Sequence, residues 1–129
     1  MIAISIPIVA PSLNQQKRMH FAAYGRMRAR FAMEIWAALG GRIAALRANP
    51  MAFARITITR HNTRGLDYDN WVGAAKPIID VLRPVSTTNP NGLGIIEDDD
   101  ASHVAVTYLQ AIVKKGAEHT TLTVEAGRA

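Results

Sequence analysis

The sequence predicts an α+β fold in which a small mixed β-sheet with a terminal hairpin packs against two main helices. The prediction comes from four stretches that alternate between two faces, as strands do, and two stretches that repeat apolar residues at helical spacing. The 129 residues are enough for one domain with a real core but not for two. We therefore treat residues 1–129 as a single domain.

The N-terminal part predicts a strand, a turn and a long helix. Residues 2–9 carry isoleucine at every second position, the period of a strand with one buried face, and Pro7 indicates an edge strand or a strand end. After a turn at residues 11–14, apolar residues recur every four positions from residue 20 to residue 39, which is typical of an amphipathic helix. They are Ala23, Met27, Phe31, Ile35 and Leu39, with Tyr24 and Trp36 widening the stripe. A shorter helical segment is predicted over residues 42–48.

The middle of the chain predicts a second strand and a second main helix. Residues 53–60 are rich in β-branched side chains and alternate between two faces. Asp69 or Asn70 is a suitable N-cap for a helix whose apolar residues continue to Leu82. Pro77 leaves two interpretations open, a helix that kinks at this proline or one that starts afresh beside it, because a mid-helix proline removes a backbone hydrogen bond.

The C-terminal part predicts the hairpin. Residues 83–91 have the composition of a loop, and residues 103–113 alternate as a strand does. Residues 114–118 carry turn signals, and residues 120–125 alternate again. The short turn favours pairing of the last two strands with each other.

Charge and composition limit the functional classes. The formal net charge is +5, and residues 1–66 carry ten Lys or Arg against the single acid Glu34, so acidic partners are favoured. The absence of cysteine excludes disulfides, thiolate zinc sites and cysteine nucleophiles, and it is compatible with the cytoplasmic location that we expect. The apolar N-terminus is too short to span a bilayer and lacks a basic start, so we expect no export signal and no membrane partner.

All six aspartates lie within residues 65–100, and five of them form two short motifs. We call residues 67–70 the first acidic motif and residues 97–100 the second acidic motif. In an extended segment Asp67 and Asp69 point the same way, so both can reach one ion. Carboxylate oxygens are the ligands that Mg²⁺ prefers, and the two motifs together predict a divalent-metal site.

Other interpretations of the motifs remain open at this point. Taken alone, the first motif also fits a turn with a helix cap, and the second fits a charged loop beside a sheet. A calcium EF-hand loop does not fit, because Val72 stands at its glycine position and Ile78 at its bidentate glutamate position.

The two motifs and the residues between them resemble the RusA family of Holliday-junction resolvases. The likeness rests on Asp67-Tyr68-Asp69-Asn70, on Lys76 followed by Asp80-Val81-Leu82, on Gly94-Ile95-Ile96-Glu97-Asp98-Asp99, and on an early Pro11-Ser12-Leu13-Asn14. It implies a small α+β homodimer that cuts branched DNA with Mg²⁺, or with Mn²⁺ in its place, during recombination and repair. One active site per subunit would make symmetrical nicks.

The resemblance also assigns roles to aspartates. Asp67 and Asp69 match the two aspartates of the family's first motif, and both are expected to bind the metal and to be catalytic. Asp99 matches the metal-binding aspartate of the second motif and has the same expected role. Asp98 matches its acidic neighbour and is expected to assist in metal binding. Asp100 leaves the choice of ligand within the second motif open.

Lys76 matches the family's catalytic lysine with a changed spacing. Compared with the shortest family pattern, three extra residues separate Lys76 from the first motif, whereas its spacing to Asp80 is the same. Counted from the first motif, Gly73 occupies the position of the family's lysine. Because three residues are nearly one helical turn, Lys76 is expected on the same helix face and in the catalytic role. Its alternative role is an ion pair with Asp80 four residues later on the helix.

Five basic residues near strand ends and loops are expected to contact DNA phosphates without reading sequence: Lys17, Arg18, Arg55, Arg60 and Arg64. His61 and His103 flank the acidic motifs and are either DNA contacts or solvated loop residues. A non-catalytic nucleic-acid-binding module is the alternative function, since it explains the positive charge but not the aspartates. The helix over residues 20–39 and the hairpin are both candidate contributors to the dimer interface.

Overall fold

The computed structural model describes residues 1–128 of the chain. This part folds into a four-stranded mixed sheet with several helices, which confirms the α+β class. In chain order the elements are β1 (Ile2–Ile6), α1 (Leu13–Lys17), α2 (Phe21–Leu39), a 3₁₀ turn (Gly40–Arg42), α3 (Ile43–Ala48), β2 (Ala54–Asn62), α4 (Tyr68–Asp80), β3 (Val104–Ile112) and β4 (His119–Ala126). Within residues 1–128, none of the helices combines the length and apolar character needed to cross a bilayer.

The strands lie in the order β1-β4-β2-β3, with β4 and β2 at the centre of the sheet. β4 is antiparallel to both of its neighbours, whereas β2 and β3 are parallel. Parallel neighbours need a crossover connection, and here the connection contains α4. The first acidic motif lies at the start of α4 and the second shortly before β3, so both belong to this one crossover.

The predicted terminal hairpin is wrong, because β2 lies between β3 and β4. Ile56 and Ile58 of β2 are fully buried, whereas Leu109 and Ile112 of β3 are 47% and 67% exposed. The buried strand β2 therefore lies between two other strands, and the exposed strand β3 lies at an edge of the sheet. Residues 114–118 can span about 16 Å, which exceeds the roughly 10 Å needed to pass over one intervening strand. The turn signals in this segment therefore mark a connection across the end of β2.

One face of the sheet carries the core. Residues paired across the strands, such as Ile4 with Leu122 and Ile58 with Tyr108, point to the same side of the sheet. Buried side chains of the two main helices complete this core: Phe31, Ile35 and Leu39 of α2 and Trp71, Ala74, Ala75, Ile78 and Ile79 of α4. The opposite face, which we call the outer face, carries mainly small polar side chains: Thr57, Thr59, Thr121 and Thr123.

α2 agrees with the predicted amphipathic helix, except that its buried stripe is narrower. The His20 side chain caps the helix by accepting a hydrogen bond from the backbone N–H of Ala22 at 3.1 Å. Trp36 is 45% exposed, and the Arg47 guanidinium lies 5.5 Å from its ring centroid. This tryptophan therefore packs against a surface cation, an arrangement that favours partial exposure.

α4 is continuous through Pro77, so the interpretation in which a helix starts afresh beside this proline is wrong. Pro77 is buried, and core packing offsets the backbone hydrogen bond that it removes. The N-cap is Asp67 instead of Asp69 or Asn70, because the Asp67 Oδ1 accepts from the Asn70 N–H at 2.8 Å. The Asn70 side chain is used elsewhere, since its Oδ1 accepts from the Leu13 N–H at 2.8 Å.

Candidate metal and nucleic-acid site

One face of α4 carries most of the chemistry-bearing residues. Asp69, Gly73, Lys76 and Asp80 follow one another at intervals of four, three and four residues, so they form a single stripe along the helix. The stripe is about 16 Å long at a rise of 1.5 Å per residue. The helix thus places an acid at each end of the stripe and a lysine between them.

Lys76 joins this stripe to the second acidic motif. Its Nζ donates to the Asp80 Oδ1 at 2.8 Å and to the Asp99 Oδ2 at 2.6 Å. The Arg83 guanidinium also approaches both carboxylates, at 3.4 Å from the Asp80 Oδ1 and 3.7 Å from the Asp99 Oδ2. Two cations and two carboxylates therefore form one ion-paired cluster, which we call the Lys76 cluster.

The Lys76 cluster shifts the ionisation of its members. Partial burial acts to lower the pKa of Lys76, but the hydrogen bonds to Asp80 and Asp99 outweigh it and leave the pKa raised. Partial burial acts to raise the pKa of Asp99, but the hydrogen bond from Lys76, the contact with Asp80 and the charge of Arg83 leave it lowered. Both groups are therefore charged at neutral pH.

The loop after α4 brings the second motif to this position. Asn89 is fully buried, and its Nδ2 donates to the carbonyls of Asp80 at 2.8 Å and Pro84 at 3.1 Å. The Asn89 Oδ1 accepts from Arg28 of α2 at 2.5 Å. Further along, the Leu93 N–H donates to the Val81 carbonyl at 2.7 Å. The loop is thus folded back along the end of α4, which sets the approach of Asp99 to Lys76.

A second group combines two aspartates of the second acidic motif with His103, three residues beyond it. Asp98, Asp100 and His103 offer ligand atoms that all lie within 4.8 Å of one another. The Asp100 Oδ1 accepts from Ser102 at 2.6 Å and lies 2.7 Å from the His103 Nδ1. These contacts lower the pKa of Asp100 to about 2, and Asp100 in turn raises the pKa of His103. The three residues offer a mixed carboxylate and imidazole ligand set.

The first acidic motif is separate from both groups. Asp67 is committed through one oxygen to the helix cap, and within residues 1–128 Asp69 makes no side-chain hydrogen bond or ion pair. Asp69 precedes Lys76 by seven residues, about 10.5 Å along the helix axis. Among the described residues, Asp67, Asp69 and Asp99 do not form a group with ligand atoms within 4.8 Å of one another.

The structure leaves no room for a lysine side chain at position 73, where the family pattern counted from the first motif would place it. A Cβ at Gly73 would lie 2.6 Å from the Leu13 Cδ2, since α1 packs closely against α4 at this point. A side chain at position 73 would therefore displace Leu13. Lys76, one turn further along the same stripe, has the room to reach Asp99.

The five expected DNA contacts lie in different surroundings. Lys17, Arg18 and Arg64 are exposed, and Arg55 is exposed on the outer face of the sheet, opposite the core side on which α4 packs. Arg60 is only 6% exposed, and its guanidinium donates to the carbonyls of Ala10 at 3.3 Å and Arg64 at 3.0 Å. Burial also lowers its pKa. This placement makes Arg60 a structural anchor and does not support its expected phosphate contact.

The two histidines beside the motifs also differ in their surroundings. His61 points to the outer face, where its ring stacks on His119 with centroids 3.9 Å apart. Burial, and secondarily His119, lower the pKa of His61. His103 instead belongs to the second motif through Asp100. Only His103 is therefore close to the candidate site.

Sequence reasoning missed Arg83 and Asn89. Both were placed in a polar loop, where composition alone gives no role to either. For Arg83 a signal was available, because it follows Asp80 by three residues at the end of a helix. For Asn89 no local signal gives this role, since two of its three side-chain partners come from α2 and from the end of α4.

No family model, curated protein or solved structure matches the chain.

Proposed function

We propose that the chain is a Mg²⁺-dependent, structure-selective endonuclease that nicks Holliday junctions or related branched DNA as a homodimer. Mn²⁺ is expected to replace Mg²⁺. The proposal takes its reaction and substrate class from the resemblance of the two acidic motifs to the RusA resolvases. Its main structural support is the 2.6 Å contact between the Lys76 Nζ and the Asp99 Oδ2, because it brings together the lysine and the second-motif aspartate to which the resemblance gives roles.

The donor chemistry of the aspartates suits a magnesium ion. Within residues 1–128, neither carboxylate oxygen of Asp69 accepts a hydrogen bond. Asp67 and Asp99 each accept through one oxygen and keep the other without a hydrogen bond. Asp67, Asp69 and Asp99 would hold the ion, with Asp98 as their acidic neighbour. When bound, Mg²⁺ supplies an activated water and neutralises charge on the phosphate. Asp67, Asp69 and Asp99 do not lie within 4.8 Å of one another, so a shared ion requires the second acidic motif to approach the first when the ion binds.

The chain's own residues supply the remaining parts. Lys76 is held in a fixed position by Asp80 and Asp99, so its ammonium is presented to a phosphate with little further loss of side-chain freedom. In that position it stabilises negative charge developing on the phosphate or on the leaving oxygen. Asp80 and Arg83 act as positioning residues, since they hold the side chains of Lys76 and Asp99 in place beside each other.

Exposed basic residues support a nucleic-acid substrate. Lys17, Arg18 and Arg64 are exposed cations in the part of the chain that precedes the first motif. Such residues hold the phosphate backbone without reading sequence. Their contribution should make junction binding fall steeply as salt is raised.

Cleavage of a synthetic four-way junction in Mg²⁺ tests the proposal. Wild-type protein should nick opposing strands, whereas Asp69→Asn and Asp99→Asn should reduce the nicking rate by about 100-fold or more. Both variants should still bind the junction, because an asparagine removes a charge without adding bulk. Glu125→Gln is the matched control, since it neutralises an exposed carboxylate on β4 outside both motifs.

Two outcomes would contradict parts of the proposal. A wild-type protein that binds the junction with no nicking in Mg²⁺ or Mn²⁺ would favour the non-catalytic binding module. Nicking that survives Asp69→Asn but is lost in Asp100→Asn and His103→Gln would assign the ion to the carboxylate and imidazole group of the second motif instead.

A further inference from the structure

A pocket of about 240 Å³ lies where α1, α2 and α4 meet. Its lining residues are Leu13, Gln16, Lys17, Tyr24, Gly73 and Lys76. Lys76 belongs both to this pocket and to the Lys76 cluster. The pocket therefore opens directly beside the candidate catalytic residues.

The lining suits a flat, partly polar ring. Leu13 and Gly73 supply apolar surface, and Tyr24 supplies an aromatic side chain. Gln16 is only 6% exposed, and its amide nitrogen donates to the Pro11 and Ala74 carbonyls at 2.9 and 3.0 Å. Its amide oxygen accepts no hydrogen bond from residues 1–128, so it is available to an amino group of a bound ring.

The volume and charge narrow the choice of occupant. The pocket is smaller than the roughly 300–1,000 Å³ of sites for drug-sized ligands, so it fits one ring system and not an extended cofactor. Lys17 is an exposed cation at the pocket, which favours a ring attached to phosphates, and Lys76 lines the same pocket while its ammonium pairs with Asp80 and Asp99.

The neighbouring surface has the composition of single-stranded DNA sites. Phe21 is 81% exposed at the start of α2, three residues before Tyr24, so the two rings are neighbours on the helix surface. Arg18, in the turn between α1 and α2, adds a further cation. Aromatic side chains interleaved with cations stack bases and hold phosphates without sequence preference.

We propose that the α1–α2–α4 pocket binds one nucleobase of an unpaired nucleotide in the DNA substrate. The base stacks on Tyr24, and the flanking phosphates contact Lys17 and Lys76. This inference rests on the proposed nuclease function for its choice of DNA. It assigns to the enzyme a means of selecting branch points, where stacking is interrupted and a base unpairs at lower cost than within continuous duplex.

Photocrosslinking tests the position of the base directly. The probe is a short single-stranded oligodeoxynucleotide with one iododeoxyuridine, irradiated with wild-type protein in metal-free buffer. Mass spectrometry of the digested adduct should find the crosslink at Tyr24. Crosslinks only at other aromatic residues, such as Trp36 or Tyr108, or no crosslink at all, would overturn the proposal.

Binding measurements with matched variants add a second test. Tyr24→Leu should bind the unmodified oligonucleotide about tenfold more weakly, because it keeps apolar volume but loses the stacking surface. Tyr24→Phe should bind like wild type, and Trp36→Leu is the control for loss of an exposed aromatic residue elsewhere on α2. Equal affinity of Tyr24→Leu and wild type would refute the stacking role, and if Tyr24→Leu does not fold, the wild-type crosslink decides.

The proposed base-binding pocket and the proposed nuclease activity can be refuted independently of each other. A crosslink at Tyr24 without any nicking in Mg²⁺ supports the pocket and contradicts the enzyme. Nicking without a crosslink at Tyr24 supports the enzyme and contradicts the pocket.

Discussion

The two acidic motifs are held in place in different ways. In the first motif, the Asp67 carboxylate is fixed by the backbone N–H of Asn70, three residues away. In the second, Asp99 is fixed by Lys76, twenty-three residues away, and the loop that precedes it is fixed by the hydrogen bond from Arg28 of α2 to the loop residue Asn89. The first motif is therefore positioned by local helix chemistry, and the second by tertiary contacts.

The positions of the two motifs should therefore depend on different parts of the molecule. Asp67 and Asp69 keep their positions wherever α4 begins at the same residue. Asp99 keeps its position only while the loop after α4 stays folded back and Lys76 stays charged. Substitutions that act on one motif at a time can test this division.

Arg60→Met should have the largest effect on stability. The buried guanidinium anchors the Arg64 carbonyl, in the segment that leads from β2 to the first motif, and methionine would leave the Ala10 and Arg64 carbonyls without this partner. We expect a loss of about 2 kcal/mol in the free energy of unfolding, measured with urea. Arg64→Met, on an exposed side chain, is the control and should stay within about 0.5 kcal/mol of wild type. Equal stability of the two variants would contradict the anchoring role.

Asp67→Ala should cost about 1 kcal/mol of unfolding free energy, because it removes the N-cap of α4. Asp67→Asn should retain most of that stability, since asparagine also caps helices, while it still reduces junction nicking. Urea unfolding and the cleavage assay on the same two variants separate the capping role from the catalytic role. If both variants lose stability equally, the charge of Asp67 matters for folding beyond its hydrogen bond.

Lys76→Met should lower the unfolding free energy by less than about 1 kcal/mol at pH 7, because the Lys76 side chain is 59% exposed and solvent screens the pair. The folded-state pKa of Asp99 is lowered, so its contribution is present above the ordinary value of about 3.9 and is lost as pH falls through the folded-state value. The difference between variant and wild type in urea should therefore shrink below pH 4. Lys76→Arg is the control that keeps the charge, and a difference independent of pH would contradict the ion pair.

His103→Gln should have the smallest effect. The pKa of His103 is raised, so stabilisation from its pair with Asp100 is present below about 6.5 and is lost as pH rises through the folded-state value. The pKa of Asp100 is lowered to about 2, so the same pair is lost as pH falls from about 3.9 towards 2. The urea midpoints of variant and wild type should differ most between these limits and converge at high pH. A difference that persists at high pH would show that His103 acts through packing.

Much of the fold could be predicted from periodicity. The isoleucine alternation identified β1, and the four-residue repeat identified α2 to within one residue of its start. Strand order could not be predicted in this way, because alternation shows that a segment is a strand without showing its neighbours. The short turn after β3 suggested a local pairing, whereas the burial of β2 required a neighbour on each side.

The candidate site shows the same limit. Asp67 and Asp69 could be placed at a helix start from sequence, but the contact between Lys76 and Asp99 depends on a loop fixed by Asn89. The burial of Arg60 could have been predicted, since it lies two residues after Ile58 on the core face of β2. The positive charge of Arg60 predicts a phosphate contact, whereas its position in the alternation predicts burial, and the structure agrees with the burial.

The crossover between β2 and β3 has a consequence for the time course of folding. Ala54 pairs with Val104, so this ladder joins segments fifty residues apart, and the entropy of closing so long a loop opposes early pairing. Proteins dominated by such distant pairings fold in roughly milliseconds to seconds. Both acidic motifs lie inside the loop that this pairing closes, so we expect their positions relative to each other to become fixed only when this long-range pairing forms.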